Sequence, residues 1–219
     1  GYDGWMYQLN SQSGMGIGAD TLVEGDELLF YYGNMAPDTL IPDVNVTPEE
    51  IYIDDEITFE VTSTYYDWSM ESTTTTAVEG AQIDIENGTL VLTTDAEGQA
   101  LVTPGALSAG TYNYQVTKEE EGSAPQLVRT DGLSFQVKEF ETINVDLRIE
   151  GITDTIYNQE VSYQGRPSPT VAEVLTYALE EAGMDYLISD GAYGLFLESI
   201  GGETSGTFGG YDEWMYQLN

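Results

Sequence analysis

The chain of 219 residues carries 39 acidic against five basic residues, a net charge of −34 at neutral pH, and it contains no cysteine and no histidine. A surface this negative repels phosphate backbones and anionic membranes, so nucleic acid is excluded as a partner, and the missing residue types exclude disulfides, thiol chemistry and histidine-based catalytic or metal sites. The hydrophobic content of 41% still predicts a folded chain. No apolar run reaches about 18 residues, so we expect no membrane insertion.

The first 34 residues predict two strands joined by a long loop. Trp5 to Asn10 and Leu28 to Tyr32 are strand-like, and between them lie a glycine-rich loop, Ser11 to Asp20, and a turn at Glu24-Gly25-Asp26. Trp5, Tyr7 and Leu9 alternate with other residues in the first segment, as in a strand that buries one face.

The stretch from 35 to 142 has no helical period. It predicts an antiparallel β-sandwich, because short strand-like segments are separated by turn signals such as Asn87-Gly88 and Glu97-Gly98. Pro37 to Pro48 is expected to be an interdomain linker. The predicted strands are 57–61, 81–85, 89–92, 99–102, 111–116 and 133–137.

One helix is predicted, between Thr170 and Gly183. Apolar residues recur there at the spacing of one buried helical stripe, and Thr170 with Glu173 forms a capping box. Alternation at 143–149 and at 156–163 predicts a hairpin before the helix, and 195–200 is strand-like after it. The order is therefore strand, strand, helix, strand.

The end of the chain repeats its beginning. Gly1 to Asn10 returns as Gly210 to Asn219 with nine of ten positions identical, the exception being Gly4 against Glu213. Nine matches in ten positions, with Trp and Met among them, are too many to arise by chance. We therefore expect a 209-residue tandem repeat, of which this chain is one copy plus the start of the next.

The repeated motif resembles a known family. Gly210 to Asn219, preceded by Gly191 to Gly194 and Ser199 to Gly202 and followed in the next copy by Leu22 to Leu28, is similar to the bacterial domain related to the C-terminal domain of transcobalamin. The resemblance implies a compact β-grasp-like α+β fold covering about half of the chain. Here the family's pattern is split between the two termini.

The middle stretch resembles bacterial Ig-like surface modules. The similar segments are Val78 to Ile83, Thr94 to Ala100 and Ala109 to Tyr114. Such modules act as spacers in adhesins and surface fibres, which implies an extracellular, cell-surface location in a prokaryote.

Together these patterns predict a mainly β chain with one α+β module. Residues 1–34 are the final strands of a β-grasp-like domain and complete the preceding repeat, 35–142 form the Ig-like sandwich, and 143–219 begin the next β-grasp-like domain. A sheet without its last strands exposes unpaired backbone, so copies should dock head to tail by strand complementation. The residues expected at this junction are Trp5, Met6, Tyr7, Leu9, Leu28, Phe30, Tyr32, Trp214, Met215, Tyr216 and Leu218.

The leading functional hypothesis is a structural repeat unit of an extracellular filament, stalk or adhesin whose partners are its own copies. A continuous polypeptide and separate subunits both remain open, and so does any host-surface or glycan target. The alternative is a surface module that binds a corrinoid, as the transcobalamin resemblance implies, or a carbohydrate on the aromatic residues.

Catalysis and cofactors are not expected, because no two carboxylates are placed across a cleft. Calcium is the one metal for which the sequence offers ligands, at Asp54-Asp55-Glu56, at Asp95 with Glu97, and at Asp20 with Glu24 and Asp26. None of the three clusters has EF-hand spacing, and solvated turns explain them. Asn45 and Asn87 match the N-glycosylation pattern.

Overall fold

The architecture was obtained as a computed structural model, which describes residues 3–34, 39–67, 71–119, 121–192, 194–209 and 213–218. It confirms the mainly β fold, with a single helix in the part of the chain described. The chain divides into two compact units, Gly1–Glu139 and Phe140–Asn219.

The first unit begins with a three-stranded antiparallel sheet. Strands β1 (Asp3–Leu9), β2 (Gln12–Ser13) and β3 (Leu28–Asn34) lie in the order β2-β1-β3. Trp5 stands opposite Tyr32, and the register continues to Leu9 opposite Leu28. We call this sheet and its loop, residues 3–34, the N-terminal hairpin.

The rest of the first unit consists of two further sheets. One has the order β10-β6-β4, with β7 also paired to β6, and the other has the order β5-β12-β11-β8-β9. All pairs are antiparallel except β5 with β12. The strands are β4 (Pro42–Thr47), β5 (Ile51–Tyr52), β6 (Ile57–Asp67), β7 (Ser72–Ala77), β8 (Gln82–Ile85), β9 (Leu90–Thr93), β10 (Gln99–Val102), β11 (Gly110–Thr117) and β12 (Leu133–Lys138).

Alternation of apolar and polar residues builds the core between these sheets. Phe59 and Val61 of β6 and Ile83 of β8 are fully buried, and they belong to one continuous apolar cluster. The Phe59 ring meets Tyr114 and Phe135 edge to face, at centroid distances of 5.2 and 5.5 Å. This unit therefore has a single, well-packed core.

One sequence prediction fails here. The expected linker, Pro37 to Pro48, contains β4, which pairs with β6 from Pro42 opposite Ser63 to Thr47 opposite Thr58. Proline is tolerated because it occupies the first position of an edge strand. Val44 and Val46 pack against the core; residues 35–38 lie outside the described part of the chain.

The second unit contains two sheets and the helix. Strands β13 (Glu141–Glu150) and β14 (Thr155–Gly165) form a long hairpin, the helix α1 spans Val171–Glu181, and β15 (Tyr186–Gly191), β16 (Gly194–Ile200) and β17 (Glu203–Thr204) form the second sheet. Among the described residues, no backbone pairing joins the two sheets.

The helix begins as the sequence predicts. The Thr170 hydroxyl accepts the Glu173 N–H at 3.2 Å, and the Glu173 carboxylate accepts the Thr170 N–H at 2.6 Å. Val174 and Ala178 pack against β14 through Val161, whereas Leu179 packs with Ile149 of β13 and Ile200 of β16. Both sheets therefore contribute side chains to the apolar clusters around α1.

Candidate functional site

An apolar face of the N-terminal hairpin is exposed. Side chains alternate across a strand, so the odd positions of β1 share a face with the residues opposite them on β3. Trp5 is 76% exposed and Phe30 is 51% exposed. The rings pair across the strands, Trp5 with Tyr32 at 5.8 Å and Tyr7 with Phe30 at 5.3 Å. We call this surface the Trp5 face: Trp5, Tyr7, Leu9, Leu28, Phe30 and Tyr32.

Met6, which the sequence also places at the junction, lies on the opposite face of the hairpin. A Cβ atom on Gly33 would lie 2.7 Å from the Met6 methyl group and 2.6 Å from the Thr39 hydroxyl. Thr39 accepts the Asn34 N–H at 2.8 Å and donates to the Pro125 carbonyl at 2.7 Å. Glycine at position 33 thus allows the face of the hairpin opposite the Trp5 face to pack on Thr39.

A hydrogen-bonded loop fixes the hairpin from one side. The Tyr7 hydroxyl donates to the Asp20 carboxylate and accepts the Gly16 N–H at 2.8 Å, while Met15 N–H donates to Asp20 at 2.9 Å. The bond from Tyr7 lowers the pKa of Asp20, and the same bond raises the pKa of Tyr7. The loop is therefore held against the strand by groups that the sequence does not single out as partners.

A second set of bonds closes the base of the hairpin. Asn10 donates its side-chain amide to Asp26 and accepts the Glu27 N–H, both at 2.9 Å, and Asp26 accepts the Val23 N–H at 2.7 Å. The bond from Asn10 lowers the pKa of Asp26. The Gly-Asp turn before β3 therefore has a structural role, because Asp26, one of the residues considered for calcium, bonds to Asn10 and to Val23.

The second unit has an apolar opening. It encloses about 670 Å³ between the start of α1 and the sheet of β15 and β16. Leu175 of α1 and Ile188 of β15 line it, together with Leu195 and Phe196 of β16, which are 63% and 41% exposed.

The second copy of the repeated motif, Trp-Met-Tyr-Gln-Leu at 214–218, lies beside this opening. Trp214 is half-buried and packs against Ile149, Leu179 and Ile200, which we call the Ile149 cluster. Met215, Tyr216 and Leu218 are 92%, 74% and 74% exposed. Residues 214–218 repeat the strand-like segment Trp5 to Leu9 but form no strand, and no described strand pairs with them.

The acidic residues considered for calcium form turns. Asp55 accepts the Tyr52 N–H at 2.8 Å, and Asp95 accepts the N–H groups of Glu97 and Gln99 at 3.0 and 2.8 Å. Asp54 and Glu97 are exposed. No group of three or more acidic side chains arranged to hold a metal ion occurs within the described ranges.

Comparison with family models, curated proteins and solved structures finds no match to this chain. No helix in the described portion is long and apolar enough to cross a membrane.

Proposed function

We propose that this chain is a structural repeat unit of an extracellular filament, stalk or adhesin, and that the N-terminal hairpin of one copy completes the second unit of the preceding copy. The observation that carries the proposal is the exposed Trp5 face on a hairpin whose loop and base are already fixed. The proposal extends to a non-enzymatic role and a location on a prokaryotic cell surface, both supported by composition.

The Trp5 face has a physical reason to be covered. Burial of one large apolar side chain stabilises by about 1.5–3 kcal/mol, and contiguous exposed apolar patches of this kind mark interaction sites. The opening beside Leu195 and Phe196 in the second unit is also lined largely by apolar residues, with Glu198 and Glu213 among the polar ones. The two surfaces are chemically matched.

Head-to-tail growth follows from where the two surfaces lie. The Trp5 face belongs to the first unit and the opening belongs to the second, so the contact between copies is heterologous. Heterologous contacts propagate into filaments unless a rotation closes a ring. We propose a continuous polypeptide rather than separate subunits, because separate subunits would bring two copies of the Trp-Met-Tyr motif to each junction.

The proposed domain identities rest on the sheets described above. Two mostly antiparallel sheets around one core support an Ig-like module for 35–142. A hairpin followed by a packed helix and a second sheet supports a β-grasp-like module for 143–219 that is completed by residues 1–34 of the next copy.

A two-copy polypeptide tests the proposal. Residues 1–219 followed directly by 11–219 contain one terminal hairpin with Gly4 and one junction hairpin with Glu213 in its place. Peptides that span that position and continue into Ser11 differ in mass between the two hairpins and exclude the C-terminal segment 210–219, so hydrogen exchange of the two β1 segments can be measured in one molecule. We expect at least tenfold slower amide exchange in the junction copy, because its hairpin is docked.

The terminal hairpin is the internal control, since it has no preceding copy. Phe30→Asp placed only in the junction hairpin should abolish the difference. Equal exchange rates in both hairpins of the unsubstituted polypeptide would refute strand complementation across the repeat boundary.

The opening favours a second candidate function, a ligand-binding module for a corrinoid or a carbohydrate. Its volume suits a small ligand, and aromatic side chains, Phe196, Trp214 and Tyr216, line it. Cobalamin and a panel of glycans should then change the Trp214 fluorescence at saturating concentration, with Trp214→Phe as the control. If no ligand changes the Trp214 fluorescence, the ligand-binding function is rejected and only the structural proposal remains.

We propose that calcium binds this chain only weakly, as a counterion of its acidic side chains. Asp54-Asp55 and Asp95-Glu97 supply hard oxygen ligands, but the carboxylates of Asp55 and Asp95 already accept backbone N–H groups. Calcium and magnesium should therefore raise the melting temperature by the same amount. A greater rise with calcium, lost in Asp95→Asn, would instead establish a specific site.

A further inference from the structure

We infer that the segment Glu213–Leu218 and strand β1 of another copy are alternative occupants of one binding site on the second unit, which we call the seat. The Ile149 cluster is the part of the seat that receives the tryptophan. This inference deepens the proposed function and rests on it. It identifies where an incoming copy binds and what it must displace.

The first argument is that identical residues have different surroundings. Trp5 to Leu9 and Trp214 to Leu218 have the same sequence, Trp-Met-Tyr-Gln-Leu. Trp214 is half-buried on the Ile149 cluster, whereas Trp5 is 76% exposed. A surface that accepts the indole of Trp214 offers the same contacts to the indole of Trp5.

The second argument is that the present occupant fills the seat incompletely. After Trp214, the side chains of Met215 and Tyr216 line the opening yet remain 92% and 74% exposed. The segment also pairs with no described strand, so its backbone gains no sheet hydrogen bonds. An occupant held mainly by one side chain is easily displaced.

The third argument is that the hairpin of a second copy presents more apolar side chains to the seat than the segment 213–218 does. In the hairpin, β3 pairs with β1 along its whole length, so Phe30 and Tyr32 arrive together with Trp5. The loop bonds of Tyr7 and Asn10 hold this pair in place before docking, which reduces the entropy lost on binding. The hairpin of a second copy should therefore bind in preference to the lone segment.

The order of events differs between the two forms of the protein. In a continuous polypeptide, the segment 213–218 is itself the first strand of the next hairpin, and the following β3 pairs with it in the seat. In a single copy, the same segment partly blocks the seat and weakens association between molecules.

The experiment compares the full chain with a chain ending at residue 209, by sedimentation equilibrium. We expect the shortened chain to self-associate with a dissociation constant at least tenfold lower, since its seat is empty. Adding Trp5→Ala to the shortened chain should reverse the gain. Equal association of both chains, or a gain that Trp5→Ala leaves intact, would overturn the inference.

Fluorine NMR with fluorotryptophan supplies a second readout. The Trp5 signal, assigned by Trp5→Phe, should become shielded from solvent with rising concentration only in the shortened chain. Amide exchange in α1 reports whether the second unit is folded. If the shortened chain is unfolded there, Trp214→Leu in the full chain replaces it, because leucine keeps an apolar contact but cannot fill the indole site.

The outcome separates the inference from the proposed function. The junction hairpin of the two-copy polypeptide could exchange slowly while the shortened chain associates no more tightly than the full chain. That result would reject the shared seat and retain strand complementation. An unprotected junction hairpin would reject strand complementation itself.

Discussion

Two buried hydroxyl groups in the first unit differ in what they bond to. The Thr94 hydroxyl donates to the Val78 carbonyl at 2.6 Å and accepts the Ala81 N–H at 2.9 Å, and Thr94 is 3% exposed. Ser63 is 1% exposed, and its hydroxyl has no hydrogen-bond partner among the described residues. Burying a polar group is costly when the group stays unpaired and favourable when it is satisfied.

Thr94→Val should therefore lower the free energy of unfolding by about 2 kcal/mol, because it leaves the Ala81 N–H and the Val78 carbonyl without their buried partner. Ser63→Ala is the matched control and should be neutral or slightly stabilising. Urea denaturation followed by circular dichroism measures both changes. Similar losses in the two variants would show that the hydrogen bonds of Thr94 contribute little.

The bond between Tyr7 and Asp20 makes the hairpin sensitive to pH. The pKa of Asp20 is lowered, so its contribution to the folded hairpin is present above about pH 3.9 and is lost as the pH falls through the lower folded value. The pKa of Tyr7 is raised, so its contribution is present below about pH 10 and is lost above the raised value. Tyr7→Phe should return the pKa of Asp20 toward its ordinary value.

Carboxyl carbon NMR titration measures that shift. Tyr32→Phe is the matched control, because the Tyr32 hydroxyl donates to Asp3 and lowers the pKa of that carboxyl instead. We expect Tyr32→Phe to change the titration of Asp3 and to leave Asp20 as it was. An unchanged Asp20 in Tyr7→Phe would contradict the hydrogen-bond assignment.

At the level of secondary-structure elements, the capping box at the start of α1 is the clearest example of a local stabilising interaction. Thr170 satisfies the N–H of Glu173, and Glu173 returns a bond to Thr170. Thr170→Ala removes the hydroxyl acceptor, so we expect a loss of about 1 kcal/mol in the stability of the second unit. Thermal unfolding followed at the helix band measures this loss.

Thr176→Ala on the same helix is the control for that prediction. Thr176 lies inside the helix and its hydroxyl donates back to the Ala172 carbonyl at 2.8 Å, a bond that competes with the backbone. Alanine is the better helix former there, so this variant should be neutral or slightly stabilising. Destabilisation by Thr176→Ala as large as that by Thr170→Ala would argue against a capping effect.

The helix and the strands also show which structural features local sequence patterns can predict. The helix and its cap were predictable because both depend on residues within three or four positions of each other. The motif Trp-Met-Tyr-Gln-Leu is a strand at 5–9 but not at 214–218, because only the first copy has β3 beside it. Pairing partners distant in sequence decide strands, and no local pattern contains them.

The candidate site was predictable to a similar extent. The sequence grouped Trp5, Phe30 and Tyr32 among the residues of the junction, and the structure places these three on one face of the hairpin. Met6 was included because it lies in the repeated motif, yet its contact with Gly33 puts it on the opposite face. The bonds of Asp20 and Asp26 could not be predicted, since they depend on the path of the loop.

For the whole molecule, charge opposes the assembly that the apolar surfaces favour. The 219-residue chain carries a net charge of −34, so two molecules repel each other over distances comparable to the Debye length. That length falls from about 10 Å at 0.1 M salt to about 3 Å at 1 M. Contact between an apolar face and an apolar opening involves few charge pairs that salt would weaken.

Sodium chloride should therefore strengthen association of the chain ending at residue 209, with the dissociation constant falling about tenfold between 0.1 and 1 M salt as repulsion is screened. Sedimentation equilibrium across this range measures the effect, and magnesium chloride at matched ionic strength serves as the comparison. The Trp5→Ala form should remain dissociated at every salt concentration, because screening removes repulsion but supplies no contact. Association that weakens as salt rises would mean that paired charges hold the copies together and that the Trp5 face is not the principal contact.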